Sequence, residues 1–435
     1  MSIRLQIIDF VKNLKVNEYY KFFTSTSNWN RRQIEEYQIK QLKNLLIYAG
    51  ENVPFYKKRF TLCGFNPKSF TCINYFKKIK PLTRSDLQQN EEELVANDFD
   101  PQKCIKSSSS GTTGTPVSYY HDIDAESAGI ASGYALYYMV GWKPGRRGIH
   151  IWGNPESIKK WSRLTSKAKR KLLNQRFIPA PLLNEYSNFP AIIKQLIRFK
   201  PEFIDGYSCA IYYLASYLLE KKIEIPRPKM IFSTAENLLD YQEEIIEEAI
   251  GPVSDLYGCG EINGIAMRPA GSDKYYLMEP HVLVETEKRD DGFMDILVTD
   301  LNNMTMPLIR YKLGDLIEEL HEGNDNNPFS FKFFKKVVGR SIDIINLGNG
   351  RKILPVSLVG GTFMRKFEAI KRHKVVWNGS FLNFIFETNS DVDLNTLRSM
   401  IKKTLQPYDV EFKIKLVDKI MPSRNGKFKY FEIVR

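Results

Sequence analysis

The chain has 435 residues, 43% hydrophobic and 26% charged, which excludes a disulfide-stapled miniprotein and a disordered tail and, by length, leads us to expect two or three domains. Sixty-three Lys and Arg against 50 Asp and Glu give a net charge of +13. Eight of those basic residues (Lys159, Lys160, Arg163, Lys167, Lys169, Arg170, Lys171, Arg176) and no acid fall between Ser157 and Arg176, leaving only +5 elsewhere. The excess is local, a solvated helix face or a landing strip for phosphates; with no zinc-finger spacing, RNP-like motif or helix-turn-helix signature, nucleic acid is not expected as a partner.

In chain order, Ile3, Ile7, Val11 and Leu14 have helical spacing and Arg4, Lys12 and Lys15 beside them. This predicts a helix docked on the protein's own core, with peripheral membrane contact the lesser reading. Arg4, Gln6, Asp9 and Lys12 break any signal-peptide stretch. Ile39, Leu42, Leu46 and Ala49 mark a helix closing near Gly50 and Pro54. Gly129 to Trp142 is the longest uncharged stretch, too short to span a bilayer, and reads equally as a buried helix and as the wall of an acyl pocket. Strand-like runs at Glu202–Asp205, Met230–Ser233 and Val253–Tyr257 alternate with helical stripes at Ile211, Leu214, Ala215, Leu218, Leu219 and at Tyr241, Ile245, Ile246, Ala249, Ile250. That alternation is the mark of βα units. Beyond residue 340 an apolar run at Phe381–Glu387, a helical stripe at Leu394, Leu397, Ile401, Leu405 and an alternating run at Val410, Phe412, Ile414, Leu416 form a unit of their own. The expected fold is α/β: a large multi-layer α/β N-terminal body over 1–338 and a small α+β C-terminal domain over 339–435.

The five cysteines (Cys63, Cys72, Cys104, Cys209, Cys259) are odd in number, scattered and without a CxxC pair, which favours free thiols, a reducing compartment and a soluble cytoplasmic protein. The histidines (His121, His150, His281, His321, His373) show no nucleophile partner and are read as structural, with His121 the one exception to test.

The run Ser107-Ser-Ser-Ser-Gly111-Thr-Thr-Gly114-Thr-Pro116 is ten small, hydroxylated or glycine residues that cannot build a core. As a loop it offers backbone N–H groups and hydroxyls to a phosphate. It is not the Walker form, because Thr115, Pro116 and Val117 follow Gly114 where that pattern needs a lysine. Ile105 before it and Val117–Tyr120 after it read as strands, so the run is expected to turn a hairpin rather than link domains.

That run resembles the phosphate loop of the adenylate-forming enzymes, the superfamily of acyl-CoA synthetases and peptide-synthetase adenylation domains. Four further segments match the same family in order: Tyr257-Gly-Cys-Gly-Glu261, Pro307-Leu-Ile-Arg-Tyr-Lys-Leu-Gly-Asp315, Gly339-Arg340 at the family's hinge, and Ser423-Arg-Asn-Gly-Lys427 at its terminal catalytic loop. Asn52-Val-Pro-Phe-Tyr56 and Pro81-Leu-Thr-Arg-Ser-Asp86 are similar to the phenylacetate–CoA ligase and capsular-polysaccharide branch.

The resemblance implies an ATP-dependent ligase that joins a carboxylic acid to AMP, releases pyrophosphate, and passes the acyl group to an acceptor. It implies ATP contacts from Ser109, Ser110, Gly111, Thr112, Thr113 and Gly114, an adenine face from Tyr257 and Gly258 with a weaker match at Ala235 and Glu236, and a ribose acceptor in Asp315. It further implies Arg340 at the hinge, Glu261 as catalytic residue and Mg²⁺ ligand, and Lys427 as the catalytic cation for the negative charge that develops at the α-phosphate. The 339–435 domain would then be a mobile lid, although Ile342 stands where the family hinge has Asp or Lys and Asp343 follows one place later. The acceptor implied is an amine of an amino sugar or amino acid in surface-polysaccharide assembly; the alternative is the thiol of coenzyme A, and a catalytically idle nucleotide-binding homologue is the third reading.

Overall fold

The computed structural model describes residues 3–100, 102–109, 117–153, 170–171, 173–340, 344–347, 352–353, 358, 367, 369–388, 390–421 and 428–434. They form two compact units of interleaved segments: Met1–Arg146 with Ser254–Lys336, and Arg147–Val253 with Val337–Arg435.

The first unit begins with helices Ile3–Lys12, Val16–Ser25 and Arg31–Asn52. Leu5 is buried while Phe10 stands in solvent, so the first helix docks by one face. Its Asp9 accepts from the N–H groups of Val16 and Asn17 at 2.7 and 2.9 Å, which fixes the start of the next helix. In Arg31–Asn52 the Asn30 side chain and Gln33 form a capping box. Of the stripe anticipated at Ile39, Leu42, Leu46 and Ala49, the last three are buried, together with Ile34 and Leu45, while Ile39 is half-buried. Pro54 then opens the following helix, Pro54–Leu62, at a position where its missing N–H costs nothing.

Gly129 to Trp142 falls mainly in the helix Ile123–Met139, which buries Ser127, Ala128, Ala131, Ser132, Ala135 and Leu136 and packs on Val16–Ser25. Among the described residues no helix is long and apolar enough to cross a membrane.

Two groups of antiparallel strands complete this unit. One is the meander Val282–Lys288, Met294–Asp300, Tyr311–Ile317; the other joins Ala266–Arg268 to Val253–Tyr257 and Tyr275–Leu277, with Phe333–Phe334 at its edge. A separate hairpin pairs Ile105–Ser109 with Val117–His121, from Ile105 opposite His121 to Ser109 opposite Val117. The anticipated pairing of the flanking strands is there, but Ser107, Ser108 and Ser109 lie in the first strand rather than in a loop, and residues 110–116 lie outside the described residues. Their backbones stand opposite Tyr119, Ser118 and Val117, and that cross-strand pairing carries a stretch that composition alone assigns to a loop.

The second unit contains a parallel sheet in the order Met230–Thr234, Phe203–Tyr207, Gly148–Trp152, Gln175–Pro179, with helices Phe189–Phe199, Ser208–Glu220 and Asp240–Ala249. These are the anticipated βα units. Phe203–Tyr207 is buried at every position, as a strand covered on both faces must be. The same unit holds a mixed sheet in the order Phe412–Val417, Leu382–Thr388, Ile370–Trp377, Phe431–Ile433, backed by the helix Leu394–Leu405. The strand, helix and strand read from the sequence are present. Ile370–Trp377 and Phe431–Ile433 were not, because the run Lys371-Arg372-His373-Lys374 hides the first strand's alternation and the second is three residues long.

Candidate active site

In the first unit the site is assembled around the segment Pro307 to Asp315. Two distant segments dock on it, and both are ones whose sequences resemble the same branch. The Tyr56 hydroxyl donates to the carbonyl of Pro307 (2.8 Å) and accepts from the N–H of Ile309 (3.1 Å). Leu82 forms a parallel bridge with Tyr311: its N–H donates to the Arg310 carbonyl (3.0 Å) and its carbonyl accepts from the Lys312 N–H (2.9 Å). Arg310 locks the arrangement. Its side chain is 8% exposed, and its guanidinium donates to Glu285 Oε2 (3.0 Å), to the carbonyl of Lys77 (2.9 Å) and to that of Ile79. Burial pushes the Glu285 carboxyl above its ordinary pKa even with Arg310 beside it.

Past Arg310, strand Tyr311–Ile317 presents two chemical groups. Gly314 has φ +85°, a conformation that favours glycine, and it precedes Asp315. Asp315 Oδ2 accepts from the Tyr257 hydroxyl at 2.9 Å, so the residue assigned to the ribose and the residue assigned to the adenine are hydrogen-bonded partners. Four residues earlier, the Tyr311 hydroxyl approaches Glu261 Oε1 at 3.5 Å.

Glu261 lies in the tight loop that leaves strand Val253–Tyr257. The loop is closed by N–H groups of Cys259 and Ile265 donating to the carbonyls of Ile262 and Tyr257 (3.0 and 3.1 Å). Two histidines hold it from outside. His121 Nε2–H donates to the Glu261 carbonyl (3.1 Å) and its Nδ1 faces Glu126 (3.4 Å), so both ring nitrogens meet acceptors. Burial opposes the charge, yet the bond to Glu126 and the charges of Asp300 and Glu126 prevail and raise the His121 pKa. His281 is the opposite case. Asn302 donates to its Nδ1 (2.8 Å) and its Nε2–H donates to the Asn263 carbonyl (3.0 Å); that is a neutral tautomer, and burial lowers its pKa. At Gly264 (φ +64°) a Cβ would come within 2.1 Å of Ser132 Oγ and 2.7 Å of the Gly133 nitrogen, so the loop reaches helix Ile123–Met139 only because this residue has no side chain. His121 is therefore a support of the site rather than a reacting group.

The Glu261 side chain is 6% exposed, and Arg84 Nη1 pairs with its Oε1 at 3.3 Å. The only described contacts of that carboxylate are this long ion pair and the Tyr311 hydroxyl, which leaves oxygen lone pairs for a hard cation. Among the described residues no three His, Cys, Asp or Glu side chains converge to hold a metal. One carboxylate supplemented by substrate phosphates is how Mg²⁺ is ordinarily held, so the residues fit that ion.

In the second unit, Ala235 follows strand Met230–Thr234 at the carboxyl end of the parallel sheet, where ligands of such sheets bind. Its φ is +70°. Seven described non-glycine residues have positive φ; five are Asn, Asp or Lys, and the other two are Ala235 and Arg310, both inside the segments that carry the resemblance. Glu236 is bonded to the start of helix Ser208–Glu220 and to Phe428. Arg340 closes strand Val337–Arg340 and is exposed.

Of the residues singled out in the sequence, Tyr257, Gly258, Glu261 and Asp315 thus gather in the first unit, and Ala235, Glu236 and Arg340 belong to the second. Ser109 ends a strand of the hairpin; Ser110, Gly111, Thr112, Thr113, Gly114, Lys427 and the hinge residues Ile342 and Asp343 lie outside the described residues, as does most of the basic run 157–176. Sequence reasoning missed Arg84, Tyr56 and Arg310 as individuals. Each sits inside a quoted motif, which was the one signal available.

No protein-family model matches the chain. It is 24% identical over 428 residues to Protein CapK of Staphylococcus aureus, covering 97% of this chain and 93% of that one. It is 24% identical over 363 residues to a phenylacetate–coenzyme A ligase of Pseudomonas putida, covering 75% and 74%. Among solved structures, 2-hydroxyisobutyryl-CoA ligase in its postadenylation state with 2-HIB-AMP superposes with TM-score 0.72 at 18% identity, over 92% of this chain and 89% of that chain. The amide bond synthetase McbA from Marinactinospora thermotolerans superposes with TM-score 0.50 at 16% identity, over 74% and 68%. The fold is that of the ATP-dependent, AMP-forming carboxylate ligases. Within that class its sequence is similar to CapK along nearly its whole length and to the phenylacetate–CoA ligases over about three quarters of it.

Proposed function

We propose that the protein activates a carboxylic acid with ATP and passes the acyl group to an amine, that of an amino sugar or amino acid, in surface-polysaccharide assembly. The match to CapK along nearly the whole of both chains carries this reading. In the first step a carboxylate oxygen attacks the α-phosphorus, and the bond to pyrophosphate breaks. In the second the acceptor nitrogen attacks the acyl carbon, AMP leaves on its oxygen, and the nitrogen gives up its proton.

Ser109 to Gly114 would face the departing pyrophosphate, Tyr257, Gly258, Ala235 and Glu236 the adenine, and Asp315 the ribose, with Arg340 at the hinge. Tyr257 and Asp315 are pre-positioned by their own hydrogen bond. Glu261 would hold Mg²⁺, which supplies positive charge to the phosphates. Lys427 would answer the charge that grows at the α-phosphate. Segment 339–435 would be the small domain that moves between the two steps.

Coenzyme A as acceptor is the second reading, favoured by the likeness to phenylacetate–CoA ligases and to 2-hydroxyisobutyryl-CoA ligase. Measuring pyrophosphate release over a panel of acids, then adding amines or coenzyme A to the acid that responds, separates the two: acyl-amide formation supports the first, thioester formation the second.

A further inference from the structure

The assigned catalytic lysine stands next to Phe428, and Phe428 is held in an unexpected way. Its N–H donates to Glu236 Oε1 at 2.9 Å. The other oxygen of that carboxylate, Oε2, accepts from the N–H of Cys209 at 3.2 Å, and the Glu236 carbonyl accepts from Ser208 Oγ at 3.1 Å. One side chain therefore ties three segments of the second unit together: the residue after the strained Ala235, the first turn of helix Ser208–Glu220, and the chain just after Lys427.

The surroundings make this bond a placed one. Phe428 is 6% exposed, and its ring meets Tyr213 edge-on at 6.4 Å and Tyr430 at 4.7 Å. The Arg372 guanidinium lies 4.2 Å over Tyr213 and 5.9 Å from the Phe428 ring. That same arginine pairs with Glu387 at 3.7 Å, both nearly buried, and the pair grips the chain at Ile420: the Ile420 N–H donates to Glu387 Oε2 (2.7 Å) and its carbonyl accepts from Arg372 Nη1 (3.4 Å). Downstream of Phe428 the chain is fixed by other means, Tyr430 by Gln242 (2.6 Å) and Phe431–Ile433 by pairing with Ile370–Trp377. Glu236 is thus the described anchor nearest to Lys427 in sequence.

We propose that Glu236 is a positioning residue for the first half-reaction: its carboxylate fixes the backbone next to Lys427 to the segment assigned to the adenine, so that nucleotide binding and the placement of the catalytic cation are coupled through one side chain. The function of this tie rests on the reading given under Proposed function, while the tie itself does not. A carboxylate that only contacted the nucleotide would govern its affinity. One that acts through Lys427 governs turnover, because a small misplacement of a catalytic group is costly.

The test uses the full chain, with Glu236→Ala and the milder Glu236→Gln, each alone and in a Lys427→Ala background. Amide hydrogen exchange is followed over 428–434, and pyrophosphate release with the responding acid is followed against ATP concentration. The tie predicts at least about tenfold faster exchange at 428 in Glu236→Ala. It predicts a kcat about 10- to 100-fold lower with KM for ATP within about twofold. Glu236→Gln, which keeps one acceptor oxygen, falls between, and the effect of Glu236→Ala disappears once Lys427 is already alanine. A raised KM with unchanged kcat, an undiminished effect in the Lys427→Ala background, or exchange at 428 equal to wild type each overturns the proposal. If the wild-type protein releases pyrophosphate with no acid, it is the adenylation reading that fails, and exchange still decides whether Glu236 holds Phe428.

Discussion

At the scale of single residues, Arg310 is a buried tie of the first unit. Its three partners are buried or backbone groups, and it adopts φ +50°, a conformation unusual for arginine. Replacing it with methionine strands Glu285, whose side chain is 6% exposed. Removing one partner of a buried ion pair costs about 3–5 kcal/mol. The pH dependence has a definite sign. Glu285 already has a raised folded pKa, and losing Arg310 raises it further, so its favourable contribution is full below the ordinary carboxylate range and is lost as pH rises through the folded value. Chemical denaturation of Arg310→Met should therefore show a smaller deficit at pH 4.5 than at pH 7; an equal deficit at both would mean that Glu285 is not the stranded group.

At the scale of elements, the Glu261 loop and the parallel sheet make separate predictions. Gly264→Ala places a methyl group against Ser132 Oγ and the backbone of helix Ile123–Met139 at a left-handed φ. It should lower stability by about 2–4 kcal/mol and weaken pyrophosphate release, while Gly271→Ala, also at positive φ but with nothing within 4 Å of the added carbon, should cost only the backbone strain of about 1–2 kcal/mol. Thermal melts of the two variants compare them directly. In the parallel sheet, His150 on one strand pairs with Asp205 on the next. Burial opposes protonation but Asp205 overcomes it, so the folded pKa lies above the ordinary imidazole value. The contribution is fully present below about pH 6.5 and is lost as pH rises through the folded value. Measured from pH 5.5 to 9, the stability advantage of wild type over His150→Gln should shrink steadily; an advantage that grows with pH would contradict the assignment.

The same scale shows what a reader of the sequence can see. Helices Arg31–Asn52, Ser208–Glu220 and Asp240–Ala249 are legible because their apolar residues repeat within a few positions. Tyr257, Glu261 and Asp315 are legible because each sits in a short contiguous motif. The bond from Tyr56 to Pro307, the bridge from Leu82 to Tyr311 and the tie from Glu236 to Phe428 are not, since their partners lie hundreds of positions apart and leave no local period. Ser107–Ser109 misled for a related reason: strand pairing is a contact between segments, and composition reports on one segment at a time.

At the scale of the whole molecule, each unit is built from segments far apart in the chain. In the first, residues before 146 supply Tyr56, Arg84 and His121 as supports for Tyr257, Glu261 and Asp315 of residues 254–336; in the second, Glu236 is tied to Phe428. The proposed adenylation can be tested without knowing the acceptor. The decisive measurement is carboxylate-dependent release of pyrophosphate from ATP and Mg²⁺ over aromatic, aliphatic and amino acids, with Lys427→Ala and Asp315→Ala beside the wild type. Release with one acid, reduced about 100-fold or more in Lys427→Ala and strongly in Asp315→Ala, is the predicted result. A folded, ATP-binding protein that releases none with any acid, or variants as active as wild type, would contradict it.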